Sequence, residues 1–209
     1  MFSLQELLGQ KDEFFDLLEA SAQEGRSSVE TLVKLLASKN PGALAPEFAE
    51  ARRKEGELRR KINQAVYGTF VTALERDEIE VLSNALYRIP KTVEKFVARL
   101  LLTPKRVEGV DFSRQTKLLN DAAATVVEMI KALRNGMNLE QIRALNDLMQ
   151  RLEGEADKAI LVLLEELFSG QFDPVTVVVR KDLYELLEKA IDRCRDVGNV
   201  ISNIALKNS

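Results

Sequence analysis

The sequence predicts an all-α fold: two tandem antiparallel three-helix bundles, elongated, arising from an internal duplication. Three observations carry this prediction. Apolar residues recur at spacings of three and four through six long runs, as one face of a helix requires. Ten glycines and five prolines punctuate those runs. The order of the runs then repeats in the second half of the chain.

The first run spans about 11–38, with Phe14, Leu17, Leu18, Val29, Leu32, Val33 and Leu36 on one face. Asn40-Pro41-Gly42 stops it. A second, highly charged run follows Pro46 and reaches Phe70. The third runs from Glu75 to Leu102 and contains Pro90, which is expected to kink it or weaken one turn. Thr103-Pro104 and Glu108-Gly109 mark the longest linker. A fourth run, 113–135, carries Leu118, Leu119, Val126, Ile130 and Leu133 and ends at Asn135-Gly136, a left-handed stop. The fifth starts at the N-cap Asn138, with Gln141 three residues on, and ends at Ser169-Gly170. The sixth covers about 180–206 along the seam Leu183, Leu187, Ala190, Cys194, Val197, Ile201 and Ile204. The β-branched segment 175–179 has no second strand to pair with, so it is expected to be linker and helix start.

The halves align. Leu17-Leu18 followed by Ala20-Ser21-Ala22 recurs as Leu118-Leu119 followed by Ala122-Ala123-Ala124. Val29 and Leu32 match Ile130 and Leu133. Glu55-Gly56-Glu57 matches Glu153-Gly154-Glu155, and Phe70 matches Phe168. Residues 1–104 and 105–209 are therefore expected to be the two bundles, packed as one domain.

Composition excludes several functions. The net charge of −3 gives no overall field favouring nucleic acid. The longest apolar run, Ile160 to Leu164, is far below the ~20 residues of a membrane span. The N-terminus lacks the basic and apolar regions of a signal peptide, and the single Cys194 suits a reducing compartment. We therefore expect a cytoplasmic protein. The chain has no histidine. That removes Cys/His zinc sites, Ser-His-Asp catalysis and Glu-x-x-His di-iron bundles. No phosphate-cradling glycine loop is present, and no enzymatic activity is expected. Any metal must take oxygen ligands.

Two acidic constellations offer such ligands. Glu153 and Asp157 lie four apart on the fifth run. Asp192 and Asp196 lie four apart on the sixth, away from its apolar seam, with Glu188 and Asn199 about one turn to either side. Like charges at this spacing repel, and a cation between the two helices would reverse that cost. Carboxylates suit magnesium, calcium, manganese or iron. On spacing alone a solvated acidic face is the ordinary reading. The basic patch Arg52, Arg53, Lys54, Arg59, Arg60 and Lys61 is similarly open to two readings, surface pairing with Glu50, Glu55 and Glu57 or anion binding. Cys194, on the seam, is expected to be a small core residue.

The segment Lys181-Asp182-Leu183-Tyr184-Glu185-Leu186-Leu187-Glu188-Lys189-Ala190-Ile191-Asp192-Arg193-Cys194-Arg195-Asp196-Val197-Gly198-Asn199-Val200-Ile201, with Leu206-Lys207-Asn208, resembles the C-terminus of the PhoU-like accessory proteins of Pit phosphate transporters. Phe15-Asp16-Leu17-Leu18-Glu19 is similar to their opening helix, and Thr69 to Ile79 is similar to their junction between the second and third helices. The resemblance covers nearly the whole chain. It implies two tandem three-helix bundles and a cytoplasmic regulator of inorganic phosphate transport, working with a Pit-type permease at the inner membrane face. It also implies metal, often iron or zinc, held by Glu/Asp-x-x-x-Asp pairs, here Glu153, Asp157, Asp192 and Asp196. A second copy of the chain is a further candidate partner. In the first half Tyr87 and Lys91 occupy the two acidic positions of the third helix. The pair on the second helix becomes either Arg53-x3-Glu57 or Glu55-x3-Arg59. The first half is thus expected to hold no metal. A metal-free helical adaptor is the alternative that the residues allow.

Overall fold

The computed structural model describes residues 4–38, 41–68, 74–136 and 138–208. Among them are six α-helices: α1 (Leu4–Ala37), α2 (Ala45–Gly68), α3 (Arg76–Leu102), α4 (Ser113–Arg134), α5 (Leu139–Leu167) and α6 (Pro174–Lys207). No strand occurs among the described residues. The stop signal at Asn40, the Phe70 half of the Phe70–Phe168 match, and Thr69 to Ala73 of the junction motif lie outside the described residues.

Local chemistry sets the boundaries. Asn138 caps α5, its side-chain oxygen accepting the Gln141 N–H at 3.1 Å. Gly136 and Gly170 take φ of 99° and 89°, the left-handed region that only glycine enters without strain. These two end α4 and α5 as expected. The sixth helix begins six residues earlier than its apolar pattern suggests. The Asp173 carboxylate accepts the N–H groups of Val175 and Thr176 at 3.1 and 3.2 Å, and Pro174 supplies a preset φ at the first helical position. Cap and proline outweigh the few tenths of a kcal/mol per residue that valines cost a helix. Residues 175–179 are helical, not linker. At the other end of the chain, α1 begins at Leu4, ahead of the expected residue 11. α3 runs unbroken through Pro90.

α1, α2 and α3 pack on one another, as do α4, α5 and α6, and the halves join where α1 meets α4 and α3 meets α6. α2 and α5 therefore lie on the outside. At ~1.5 Å per residue, the 34-residue α1 and α6 are each about 50 Å long, so the bundle is elongated. Buried side chains of all six helices form one hydrophobic cluster. The whole expected α6 seam is buried, Cys194 included. On α1, Phe14, Leu18, Val29 and Leu32 are buried as expected, but Val33 is exposed, and Phe15 and Leu35 are buried instead.

Small residues set how closely the helices approach. Ser21, Ala22, Ala122 and Ala123 are all buried. A Cβ added at Gly198 would stand 3.3 Å from Asn146 Oδ1 and 3.4 Å from Met129 Sδ. A hydrogen at that position lets α6 settle against both α4 and α5.

Candidate metal centre

The face of α6 turned toward α5 is acidic. The structure brings Glu153 and Asp157 of α5 together with Asp192 of α6, with one carboxylate oxygen from each within 4.8 Å of the others. All three are half-buried. Oxygens on opposite sides of a hard cation with ~2.0–2.4 Å bonds are ~4–4.8 Å apart, so the cluster has the dimensions of a partial coordination shell. Main-chain geometry explains the grouping. Residues four apart on a helix stack on one face, and α5 and α6 run side by side.

Electrostatics shows the cost of the arrangement. Burial, reinforced by the nearby charges of Glu153, Asp157 and Asp196, pushes the Asp192 carboxyl above its ordinary range. Burial followed by Asp192 and Asp157 does the same to Glu188. Glu188 thus stands in the field of the cluster without being one of the three that converge. A cation would favour the ionised forms and reverse both shifts.

Two other candidates stand apart. Asp196 accepts a hydrogen bond from Arg193 at 2.7 Å. Asn199 is exposed and lies with Asn84, Arg88 and Asp196 along the groove between α3 and α6. The sequence reading did not single out Arg195, which donates to Glu153 across the α5–α6 interface. Its Nε is buried without a hydrogen-bond partner. Arg195 sits within the Asp-Arg-Cys-Arg-Asp run, and alternating charge there was the available signal. It neutralises part of the cluster from the protein side.

The corresponding place in the first half is built from other chemistry. The Arg59 guanidinium lies over the Tyr87 ring, 4.5 Å from its centroid, and the Lys91 ammonium lies 5.8 Å from the same ring. This decides between the two alignments of α2. Arg59 faces Tyr87 as Asp157 faces Asp192, whereas Arg53 pairs with Glu50 and Glu57 on the exposed surface of its own helix. Stacking two cations on an aromatic face is favourable by ~0.5–2 kcal/mol each, and their fixed charge repels a metal ion. Glu55, at the position matching Glu153, is fully buried. It accepts the Ser21 hydroxyl at 2.5 Å, while its second oxygen has no hydrogen-bond partner. Burial pushes its carboxyl up to about 8, so it is neutral at pH 7 and offers a cation no charge.

The chain was compared with known proteins for sequence and fold. No family model matches the chain. It is 26% identical over 208 residues, covering 98% of the chain and 97% of the relative, to a Rhizobium meliloti protein named "Putative pit accessory protein". It is 25% identical over 140 residues to the UPF0111 protein YkaA of Bacillus subtilis, covering 67% of the chain and 68% of that relative. A PhoU-like protein of Shewanella oneidensis MR-1 has the same fold, with a TM-score of 0.82 over 92% of the chain and 99% of that structure, at 14% identity.

Proposed function

We propose that the chain, similar along almost its whole length to a protein named as a Pit accessory protein and sharing the fold of a PhoU-like protein, is itself a PhoU-like Pit accessory protein and a non-enzymatic regulator of inorganic phosphate transport. In this reading it acts in the cytoplasm, at the inner membrane face, on a Pit-type permease. Its second half holds one carboxylate-ligated metal ion through Glu153, Asp157 and Asp192, with Asp196 and Glu188 as outer members. Its first half serves as scaffold or docking surface. The two halves correspond to 1–104 and 105–209 and descend from one duplicated three-helix unit.

The single observation behind the metal assignment is the convergence of three half-buried carboxylates, whose mutual repulsion a cation would relieve. Magnesium, manganese, calcium, iron and zinc all accept oxygen ligands. No helix among the described residues is long and apolar enough to cross a membrane. The permease is the expected partner because a relative along almost the whole chain bears the name of a Pit accessory protein.

The functional test is genetic and biochemical. Deleting the gene is expected to alter phosphate uptake, and tagged protein is expected to co-purify with a Pit-type permease. Unchanged uptake together with no co-purification would remove the assignment. The Arg195–Glu153 pair favours a second reading, in which an internal arginine replaces the metal and the protein is a metal-free adaptor. Ligand linkage separates the two. A bound ion raises stability by RT ln(1 + [L]/Kd), about 2.7 kcal/mol at a hundredfold excess over Kd. For a chain of this size that is about 5–10 °C in melting temperature. The adaptor reading requires no shift with manganese, iron or magnesium.

A further inference from the structure

The groove between α3 and α6 carries charge of the opposite sign from the acidic cluster. It encloses about 250 Å³ and is lined by Arg88, Lys91, Thr92 and Lys95 of α3 and Leu186, Lys189 and Arg193 of α6. Five of these seven side chains are cationic and none is acidic. The spacing is helical on both sides. Residues 88, 91 and 95 form one stripe, 186, 189 and 193 form another, and the two stripes face each other across the groove.

Of the carboxylates close in sequence, Glu188 and Asp192 belong to the acidic face turned toward α5, and the others are paired. Glu94 pairs with Arg52 at 2.6 Å. Asp182 pairs with Arg99, and Glu185 with Lys181. Asp196, farther along the same α3–α6 groove, pairs with Arg193. Among the described residues Arg88, Lys95 and Lys189 make no ion pair. The floor is ordered, since Thr92 is buried and its hydroxyl donates to the Arg88 carbonyl at 2.8 Å. Four cations, beside an Arg193 paired with Asp196, crowd one concavity in a chain whose net charge is −3, and such an excess focuses potential in the groove. The volume is several times the ~30 Å³ share of a water molecule, enough for a tetrahedral oxyanion with bound water. Arginine and lysine together give forked and point-charge donors that suit phosphate oxygens.

We propose that the α3–α6 groove is a phosphate oxyanion site, formed by Arg88, Lys91, Lys95, Lys189 and Arg193, that takes free inorganic phosphate or a phosphate-bearing lipid headgroup. It lies on a different side of α6 from Glu153, Asp157 and Asp192. It shares only the Arg193–Asp196 pair with the metal assignment, and its failure leaves the metal and permease readings standing.

Titration calorimetry with inorganic phosphate at low ionic strength, and co-sedimentation with phosphatidylglycerol against phosphatidylcholine vesicles, test it on the full chain. Four proteins are compared: the native chain, a Lys95→Gln/Lys189→Gln groove variant, an Arg60→Gln/Lys61→Gln control on α2, and a Glu153→Gln/Asp192→Asn variant. The groove lysines are exposed, so their loss is expected to leave folding intact, as a melting curve checks. Saturable phosphate binding that weakens at least tenfold in the groove variant alone supports a free-anion site. Phosphatidylglycerol binding without phosphate binding, with the same pattern among variants, supports the headgroup. Absence of binding to both probes, equal binding by the groove variant, or loss of binding in the Glu153→Gln/Asp192→Asn variant would overturn the assignment.

Discussion

Phe96→Ala is expected to cost about 4 kcal/mol and to lower the melting temperature by about 10 °C. The Phe96 ring is fully buried on α3. It meets Phe112, at the entrance to α4, edge to face with centroids 5.5 Å apart, and Phe112 in turn meets Tyr184 of α6 at 5.9 Å. The three rings join the third helix to the second half. Truncating a buried Phe costs ~3–5 kcal/mol through lost transfer energy and the cavity left behind, and aromatic pairs add ~0.5–1.5 kcal/mol beyond area. For a chain of this length each kcal/mol moves the midpoint by ~2–4 °C. Phe168→Ala is the contrast. That ring is 58% exposed, and its loss is expected to change stability by less than about 0.5 kcal/mol. Urea and thermal unfolding followed by circular dichroism measure both. Equal effects from the two substitutions would contradict the packing described.

Glu55→Gln is expected to make the protein more stable above neutral pH and to flatten its pH dependence. Burial raises the folded carboxyl to about 8 from an ordinary 4.5, opposed by the Ser21 hydrogen bond, with the Glu24 charge adding to the rise and Arg59 opposing it. Between those two values the folded chain holds a proton that the unfolded chain has released. Stability therefore falls as pH rises through the window. The penalty is absent below about 4.5 and complete above about 8. At ~1.4 kcal/mol per pKa unit its ceiling is about 5 kcal/mol. Glutamine is neutral throughout and can still accept the Ser21 hydroxyl. Urea midpoints at pH 5, 7 and 9 are expected to coincide near pH 5 and to diverge in favour of the variant toward pH 9. Parallel curves would show that Glu55 ionises freely and that the first half keeps a usable carboxylate.

The helices were legible in the sequence because periodicity reports burial directly. The α6 seam from Leu183 to Ile204 is buried throughout, and the caps at Asn138 and Gly136 follow from local chemistry. What the sequence hid depends on long-range partners. Residues 175–179 look like a strand to a propensity argument, yet the cap at Asp173, itself paired with Arg106 from the α3–α4 linker at 2.7 Å, makes them helix. The acidic pairs were visible as spacing. Which of the four carboxylates converge was not visible, since that depends on the rotation of α5 against α6 and on Arg193 drawing Asp196 aside. The absence of carboxylates at two positions of the third helix was readable at Tyr87 and Lys91. The part played by Arg59 was not, because two registers of α2 fitted equally well until its guanidinium was seen over the Tyr87 ring.

The central claim is asymmetric: one metal ion in the second half and none in the first. Elemental analysis of bound metal per chain tests it most directly, applied to purified native protein, a Glu153→Gln/Asp192→Asn variant and an Arg59→Gln/Lys91→Gln variant. The expected result is about one ion per chain in the native protein and in the first-half variant, with at least a tenfold loss in the second-half variant. Equal metal content in all three proteins would contradict the assignment of the centre to Glu153, Asp157 and Asp192.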